Sequence, residues 1–175
     1  MLGPADYWLR QYSSRWDTVI SADEDGFVEY WQPSEPFGQP QDVPGLWQYK
    51  SSTDLFHFKR TKTIPTSISF SPNSSHFVCL ALPSRAVHIF NFQTGKITRT
   101  YDESITALTE MQQGGTAVYK LDDMDFGRRL AVERELDRDE SGPGGALRNA
   151  TAVWDETGNF VLYPTMLGIK GMSPG

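Results

Sequence analysis

The hydrophobic pattern near the start of the chain describes two short strands joined by a tight turn. A mostly apolar run at 18–22 leads to Asp25-Gly26, and an alternating run follows at 28–31. An Asp-Gly pair between two such runs predicts a hairpin, because the turn needs residues that tolerate a positive φ angle. In the second run, Val28 and Tyr30 share one face of the predicted strand.

The same pattern returns twice further along the chain. Four short strands are predicted at 67–70, 77–82, 87–92 and 97–101, separated by turn-forming residues. A third copy at 151–163 aligns with the second, placing Trp154 on Phe70 and Phe160 on Phe77. Trp154 lies 84 positions after Phe70. That offset equals two repeats of ~42 residues, which is typical of repeated β-sheet units.

A stretch with a different pattern, residues 105–145, lies between the second and third copies. It predicts a short helix at 105–113 and a longer one at 122–140, with the Gly-rich run at 142–145 as a stop. Asp122, Asp123 and Asp125 are candidates for the cap of the longer helix.

Prolines dominate residues 32–45, with Pro33, Pro36, Pro40 and Pro44 in that span. Because proline cannot donate a hydrogen bond to a strand partner, this stretch predicts a surface loop. Residues 47–49 are interpreted as a return to an outer strand, and 53–62 is left open between a helical turn and a strand.

The composition of the chain excludes several classes of protein. The chain has 175 residues, a single cysteine, Cys79, and three histidines at separated positions. These exclude a disulfide framework and a Cys/His zinc cluster. The formal net charge of −6 argues against a broad phosphate-binding surface. No apolar run reaches the ~18 residues of a membrane helix, and residues 1–6 lack the features of a signal peptide, so an intracellular location is expected.

The repeated strands resemble WD repeats, which form blades of a β-propeller. The spacing from Ser21 through Asp25-Gly26 to Trp31 matches a WD strand–turn–strand unit. Further positions that match such units are Phe70, Pro72, Phe90, Gly95, Trp154 and Gly158. The Gly-His dipeptide is absent and Ser84 stands at an Asp position. The hydrogen-bond network of a strong WD repeat is therefore expected to be incomplete.

A closer resemblance runs from about residue 9 to Lys170. The segments that carry it include Thr94-Gly95-Lys96, Asp102-Glu103-Ser104, Phe126-Gly127-Arg128-Arg129 and Thr165-Met166-Leu167-Gly168-Ile169-Lys170. In this order they are similar to the WD-repeat-containing cyclophilins, which are peptidyl-prolyl isomerases with an N-terminal propeller. The resemblance implies a nuclear protein that associates with the spliceosome. The cyclophilin domain that carries the isomerase activity in that family has no counterpart in this sequence, so no catalytic residue is carried over.

The resulting fold prediction is all-β with a helical insertion. It is a partial WD-repeat β-propeller of about two and a half antiparallel four-stranded blades, in a ring that does not close. The predicted units are two blades at 1–104, the helical insertion at 105–145, and the incomplete start of a third blade at 146–175. Unpaired blade edges predict a marginally stable or aggregation-prone chain.

Candidate sites are few. Arg128, Arg129 and Arg134 are predicted to form a partner-docking patch, although the intervening acidic residues also fit a solvated, salt-bridged helix. Asp122, Asp123 and Asp125 do not complete a calcium loop. Met111-Gln112-Gln113-Gly114-Gly115 resembles the cyclophilin active-site strand. That chemistry needs an arginine on the preceding strand and a Phe-lined pocket, which 103–110 do not supply, so the match is interpreted as coincidence.

The sequence thus predicts a non-catalytic scaffold with protein partners, spliceosomal by resemblance. No cofactor, metal, membrane or small-molecule ligand is expected. One alternative is peptidyl-prolyl isomerisation through the parent protein's cyclophilin domain. A second is an RNA-binding module, for which Lys59, Arg60 and Lys62 form a small basic cluster beside Phe56 and Phe58, although a surface turn also fits these residues.

Overall fold

A computed structural model describes residues 9–118, 120–138 and 149–175. The N-terminal residues used to assess a signal peptide, the last two residues of the predicted long helix, and the Gly-rich stop at 142–145 lie outside these ranges. The described chain forms three antiparallel sheets and a few helices. The prediction of mostly β structure with a helical insertion is confirmed, whereas the number of propeller blades stays a prediction.

The first sheet has three strands, β1 (Leu9–Ser13), β2 (Thr18–Ala22) and β3 (Val28–Trp31), in that order. The predicted Asp25-Gly26 turn joins β2 to β3. A fourth, outer strand was predicted and is not observed in this sheet. Instead, a 3-10 turn at Lys50–Ser52 and the short helix α1 (His57–Thr61) follow the proline-rich loop. Of the two alternatives for residues 53–62, a helical turn or a strand, the structure shows the helical turn, preceded by a loop.

The central sheet is the complete four-stranded unit. Its strands are β4 (Ile64–Phe70), β5 (His76–Leu82), β6 (Ala86–Asn91) and β7 (Ile97–Asp102), paired in sequence order. All four agree with the strands predicted between 67 and 101, apart from an earlier start of β4. Every residue of β5 after His76 is buried, as a continuous apolar strand predicts.

Two helices connect the central sheet to the last one. Helix α2 (Ile105–Gly114) begins at Ser104, whose side chain accepts a hydrogen bond from the Ala107 amide. Helix α3 (Asp123–Arg138) begins after Asp122, whose carboxylate accepts a hydrogen bond from the Met124 amide at 3.1 Å. The capping role predicted for this acidic run is therefore confirmed at Asp122.

The last sheet has three strands, β8 (Val153–Trp154), β9 (Val161–Thr165) and β10 (Gly168–Met172). Its first turn repeats that of the central sheet. The Ser71 amide donates to the His76 carbonyl, and 84 positions later the Asp155 amide donates to the Phe160 carbonyl. Phe160 therefore corresponds to His76, not to Phe77. The predicted alignment was one residue out because it matched two phenylalanines instead of two backbone positions.

The three sheets pack face to face, with their first strands adjoining one another: β1 contacts β4, and β4 contacts β8. One core cluster joins the first sheet to the central sheet, and a second joins the central sheet to the last. A third and smaller cluster holds the two helices against Met166, which lies in the turn between β9 and β10. This arrangement places α2 and α3 beside the last sheet.

Candidate functional site

Helix α3 carries the predicted docking residues, and one of its faces is fixed to the rest of the protein. Phe126 is buried with Leu108 of α2 and Met166, and Leu130 packs against them. The Gln112 side-chain amide of α2 donates to the Leu121 carbonyl at 2.7 Å. The start of α3 is thereby tied to α2.

An arginine from the central sheet holds the second half of α3. Arg85 lies in the turn between β5 and β6 and forms ion pairs with Glu133 and Asp137, the latter at 2.7 Å. The Arg85 side chain is only 11% exposed. Sequence reasoning missed this residue, because the ion pairs join positions about 50 apart in the chain. A lone arginine in a turn carries no local signal of that contact.

The three predicted docking arginines do not share one face of α3. Successive helical residues turn by about 100°, so Arg128, Arg129 and Arg134 point in three directions. Arg129 turns toward the protein, with its guanidinium donating to the Asp125 carboxylate at 3.3 Å and the Met166 carbonyl at 3.4 Å. Arg128 and Arg134 are exposed. Their docking role stays a prediction.

The outward face of α3 mixes charge with exposed apolar groups. Met124 is 67% exposed and Val132 is 55% exposed. Arg128 lies between them at four-residue spacing, so all three side chains follow one line along the helix. Single exposed apolar residues are common on protein surfaces. Methionine and arginine are both enriched in protein–protein interfaces.

The WD-like residues of the first sheet adopt part of the expected arrangement. The Trp31 indole N–H donates to the Ser21 hydroxyl at 2.9 Å. Asp25 instead forms an ion pair with Lys59 of α1 at 3.2 Å. Gly26 has a φ angle of +83°, and a Cβ there would lie 2.9 Å from the Lys59 amide nitrogen. This turn therefore needs glycine both for its backbone conformation and for the close approach of α1.

The WD-like residues of the other two sheets lie in turns or pack in the core. The rings of Phe90 and Phe77 are stacked with centroids 4.9 Å apart. Gly158 has a φ angle of +74°, and a Cβ there would lie 3.3 Å from the Pro72 ring. The first turns of the central and last sheets therefore touch through these two residues. The contacts of Phe90, Gly158 and Pro72 described above are all with other residues of this chain.

A cavity of about 620 Å³ lies beside the last sheet and beneath α3. Its apolar lining includes Leu80, Leu82 and Met166, and its polar lining includes Glu103 and Glu133. The Glu103 carboxylate accepts hydrogen bonds from the Tyr163 hydroxyl at 3.0 Å and from the Lys170 ammonium at 2.7 Å. Burial together with the Glu103 charge raises the pKa of Tyr163 well above its usual value.

Groups with catalytic potential do not converge in the described chain. Burial raises the pKa of the Cys79 thiol, which keeps it protonated and unreactive. His88 is buried, and its Nδ1 lies 3.0 Å from the Thr100 hydroxyl. No group of three potential metal ligands occurs among the described residues. Met111 to Gly115 form the end of helix α2 and its cap, not a strand.

Comparison with known proteins identifies relatives of this chain. Peptidyl-prolyl cis-trans isomerase cyp15 of Rhizopus delemar is 44% identical over 160 residues, which cover 91% of this chain and 24% of the relative. Peptidylprolyl isomerase domain and WD repeat-containing protein 1 of Homo sapiens is 46% identical over 153 residues, covering 87% of this chain and 22% of the relative. This chain's homologues are cyclophilin-type peptidyl-prolyl isomerases.

The chain spans about a quarter of the length of these isomerases. No protein-family model matches it. The crystal structure of Kluyvelomyces marxianus Hsv2 covers 91% of this chain at 7% identity, with 45% of that protein matched and a TM-score of 0.38. A similarity at that level carries no conclusion. None of the helices within the described ranges combines the length and apolar character that crossing a membrane requires.

Proposed function

We propose that this chain is a non-catalytic protein-interaction scaffold and forms part of the WD-repeat propeller of a cyclophilin-type peptidyl-prolyl isomerase. The homology to isomerases with WD repeats in their name supports this assignment. The hydrogen bond between Trp31 and Ser21, in an Asp-Gly hairpin, supports the propeller interpretation. The nuclear location and spliceosomal partners implied by the sequence resemblance belong to the same proposal.

The observation that carries the scaffold function is the asymmetry of helix α3. Its inner face is held by Phe126, by the ion pairs of Arg85, and by the bonds of Arg129. Its outer face presents Met124, Arg128 and Val132 to solvent. A helix fixed on one side and exposed on the other offers a partner a preorganised surface, which reduces the entropy lost on binding.

Isomerase activity in this chain itself is the weaker candidate. The activity appears in the names of relatives that are about four times longer. The segment similar to a cyclophilin active-site strand lies at the end of α2, where the backbone is helical. We expect the purified chain to leave the rate of prolyl isomerisation in a peptide at the uncatalysed value. An accelerated rate that a cyclophilin ligand inhibits would overturn this part of the proposal.

The docking role is tested by reversing one charge on the outward face of α3. Arg128→Glu should reduce recovery of spliceosomal proteins from nuclear extract by about tenfold or more, which corresponds to about 1.4 kcal/mol of binding free energy. The matched control is Arg99→Glu on β7, which makes the same charge change at an exposed arginine outside both α3 and the Lys59, Arg60 and Lys62 cluster. Quantitative mass spectrometry of the captured proteins supplies the measurement.

Two results would contradict the docking proposal. One is an unchanged set of partners with Arg128→Glu. The other is an equal loss with both variants, since that would reflect net charge and not a surface. If the captured material is RNA, and its binding falls steeply with salt, the RNA-binding alternative is favoured instead.

A further inference from the structure

Acidic and basic residues are interspersed in the sequence of α3, but the structure separates them between two sides of the helix. The acidic residues Asp125, Glu133 and Asp137 all form ion pairs within the chain. Asp125 pairs with Arg129 at 3.3 Å, while Glu133 and Asp137 pair with Arg85 of the central sheet. An arginine from outside the helix therefore neutralises two carboxylates of the helix.

The outward face of α3 is left with a basic excess. Arg128 and Arg134 are exposed, and neither forms an ion pair with any residue that the structure describes. The Arg128 guanidinium instead donates to the Met124 sulfur at 3.6 Å. Arg138 and Glu135 are also exposed. Three arginines on this face are thus opposed by one glutamate, in a chain whose formal net charge is −6.

The two unpaired arginines lie on either side of an apolar strip. Each residue of a helix turns by about 100° and rises by about 1.5 Å, so Arg128 and Arg134 lie about 120° apart around the axis and about 9 Å apart along it. Met124 and Ala131 point between these two directions, and both are exposed. A complementary ligand would carry two negative groups at a similar separation, with an apolar group between them.

We infer that the partner of α3 is an acidic peptide segment of another protein. Two of its carboxylates bind Arg128 and Arg134, and an apolar side chain between them packs on Met124. This inference rests on the proposed scaffold function and adds the chemistry of the partner. Arginine binds carboxylates through paired, charge-assisted hydrogen bonds, and complementary charges fix the register of two binding partners.

A nucleic acid fits the outward face of α3 less well than an acidic peptide does. Phosphate-backbone binding depends on a broad basic surface, because every nucleotide carries a negative charge. Glu135 points between the directions of Arg128 and Arg134 and would repel a phosphate there. A peptide can place an uncharged side chain opposite Glu135, so the same glutamate does not exclude it.

Gly127 provides a steric test of this surface. It points between the directions of Met124 and Arg134, and an added Cβ would meet no atom of the described chain within 4 Å. Glycine inside a helix is destabilising, whereas glutamine is a good helix former. Gly127→Gln should therefore raise the melting temperature of the chain and at the same time weaken peptide binding. A purely structural position would not produce these opposite effects.

The main experiment selects ligands from a displayed library of random short peptides on the immobilised 175-residue chain. The expected result is enrichment of peptides with Asp or Glu on both sides of an apolar residue. The best peptide is then labelled and titrated by fluorescence anisotropy. Arg128→Gln and Arg134→Gln should each weaken its binding by about tenfold. The matched control is Arg99→Gln, at an exposed arginine of β7, which should leave binding unchanged.

Exchanging the charges separates binding from folding. Arg128→Glu should remove binding of the selected peptide, because two negative groups then face each other. A peptide in which the corresponding acidic residue is replaced by lysine should bind Arg128→Glu and should not bind the unmodified chain. Restored binding of this kind requires a folded helix, so it also excludes unfolding as the cause of the first loss.

Three outcomes would overturn the inference. They are selected peptides without acidic enrichment, acidic peptides that bind Arg128→Gln and Arg134→Gln as tightly as the unmodified chain, and displacement of the peptide by oligouridylate RNA that binds through the same two arginines. Peptide binding that Gly127→Gln does not weaken would overturn the placement of the peptide between Arg128 and Arg134.

The inference and the scaffold function on which it rests can fail separately. If Arg128→Glu reduces the capture of nuclear proteins but the selected peptides are not acidic, the scaffold function stands and the chemistry assigned to the partner is wrong. If acidic peptides bind through Arg128 and Arg134 but the capture of nuclear proteins is unchanged by Arg128→Glu, the surface is supported and the docking role in the scaffold proposal is contradicted.

Discussion

The two faces of the central sheet are built from different kinds of side chain. Toward the first sheet, the rings of Phe77 and Phe90 stack at 4.9 Å, and those of Tyr30 and Phe92 stack at 5.0 Å. The Tyr30 hydroxyl also donates to the Phe92 carbonyl at 3.1 Å. This interface is an interlocked set of aromatic rings.

Toward the last sheet, the central sheet presents small and aliphatic side chains. This face is mostly Val78, Leu80, Val87 and Ile89, with one ring at its edge: Tyr101 of β7 stacks on Tyr163 with centroids 6.1 Å apart. Hydrogen bonds link the strands nearby: the Thr66 hydroxyl donates to the Ala150 carbonyl at 2.9 Å, and the Ala152 amide donates to the Ser67 hydroxyl at 2.9 Å. Glu103, Tyr163 and Lys170 add the buried network described above.

The difference shows two ways to align one sheet on another. Ring pairs prefer defined relative orientations and contribute ~0.5–1.5 kcal/mol beyond the area they bury. Aliphatic contacts are non-directional, so the second interface, where ring pairs such as Tyr101 and Tyr163 are few, derives most of its alignment from hydrogen bonds. Removing one ring should therefore damage the first interface most, while removing a polar partner should damage the second.

The largest effect is expected from Phe77→Ala. Phe77 is fully buried and contacts three other aromatic rings, those of Tyr30, Phe70 and Phe90. Truncation should lower the free energy of unfolding by about 3–5 kcal/mol, because a cavity replaces the ring. Urea denaturation followed by tryptophan fluorescence measures this change.

The matched control is Phe160→Ala, which removes the same ring from a position that is 48% exposed. It should cost less than about 1 kcal/mol, as surface substitutions do. Equal losses of unfolding free energy from the two variants would mean that burial in the aromatic interface adds nothing to what a phenylalanine contributes at the surface.

The aromatic face also contains a pH-sensitive group. The rings of His88 and His57 lie 4.5 Å apart, and burial, followed by the neighbouring His57, lowers the pKa of His88 to about 4. An unfolded histidine has a pKa near 6.5. As the pH falls from about 6.5 to about 4, the unfolded chain takes up a proton that the folded chain does not. Stability present above pH 6.5 is therefore lost across that window.

At 1.36 kcal/mol per pKa unit, His88 contributes a loss of about 3 kcal/mol. His88→Gln should flatten this part of the stability profile in denaturant titrations from pH 7 to pH 4. His76→Gln is the control, since His76 lies at the first turn and its pKa is also lowered by burial, but it does not face the aromatic interface. A profile unaltered by His88→Gln would show that His88 is not neutral in the folded state.

Strand positions were largely predictable from sequence because each strand has a local signal. The alternation before Trp31, the apolar run of β5 and the Thr94-Gly95-Lys96 turn all act within a few residues. The outer strand predicted at 47–49 was wrong because apolar character alone does not establish pairing. Trp47 instead donates its amide to the Gln93 carbonyl, and the chain continues into α1.

The candidate surfaces were less predictable because they depend on contacts between distant positions. The Arg85 ion pairs and the bonds of Glu103 join residues about 50 to 70 positions apart. An arginine cluster on α3 was visible in the sequence, yet which arginine faces inward depends on where Met166 lies. Helical spacing shows relative directions along α3, while only tertiary contacts show which direction is occupied.

The polar network of the second interface offers the next test. Glu103→Gln removes the charge that pairs with Lys170, while an amide oxygen can still accept from Tyr163. The Glu103 side chain is 6% exposed, so the change should cost about 1–3 kcal/mol. The comparison is Glu29→Gln, which acts on the pair with Lys50, where the carboxylate is 37% exposed. That pair should contribute no more than about 1 kcal/mol.

Unfolding free energies of these two variants and of Lys170→Gln complete the test. In a double-mutant cycle, the variant carrying both Glu103→Gln and Lys170→Gln should lose less stability than the sum of the two single losses, since each residue is the other's partner. A coupling energy of zero between Glu103 and Lys170 would mean that this ion pair does not contribute to the alignment of the second interface.

The smallest effect is expected from removing one methylene group on the aliphatic face. Ile89 is 1% exposed, and Ile89→Val should cost about 0.5–1.5 kcal/mol. Ile68→Val makes the same change at an 8% exposed residue packed in the aromatic interface. Because the two substitutions remove the same group, thermal denaturation should give similar losses of stability. The two interfaces would then differ in ring geometry and hydrogen bonding, and not in how tightly they pack. A cost at Ile89 well above that at Ile68 would show instead that the aliphatic interface is the more rigidly packed of the two.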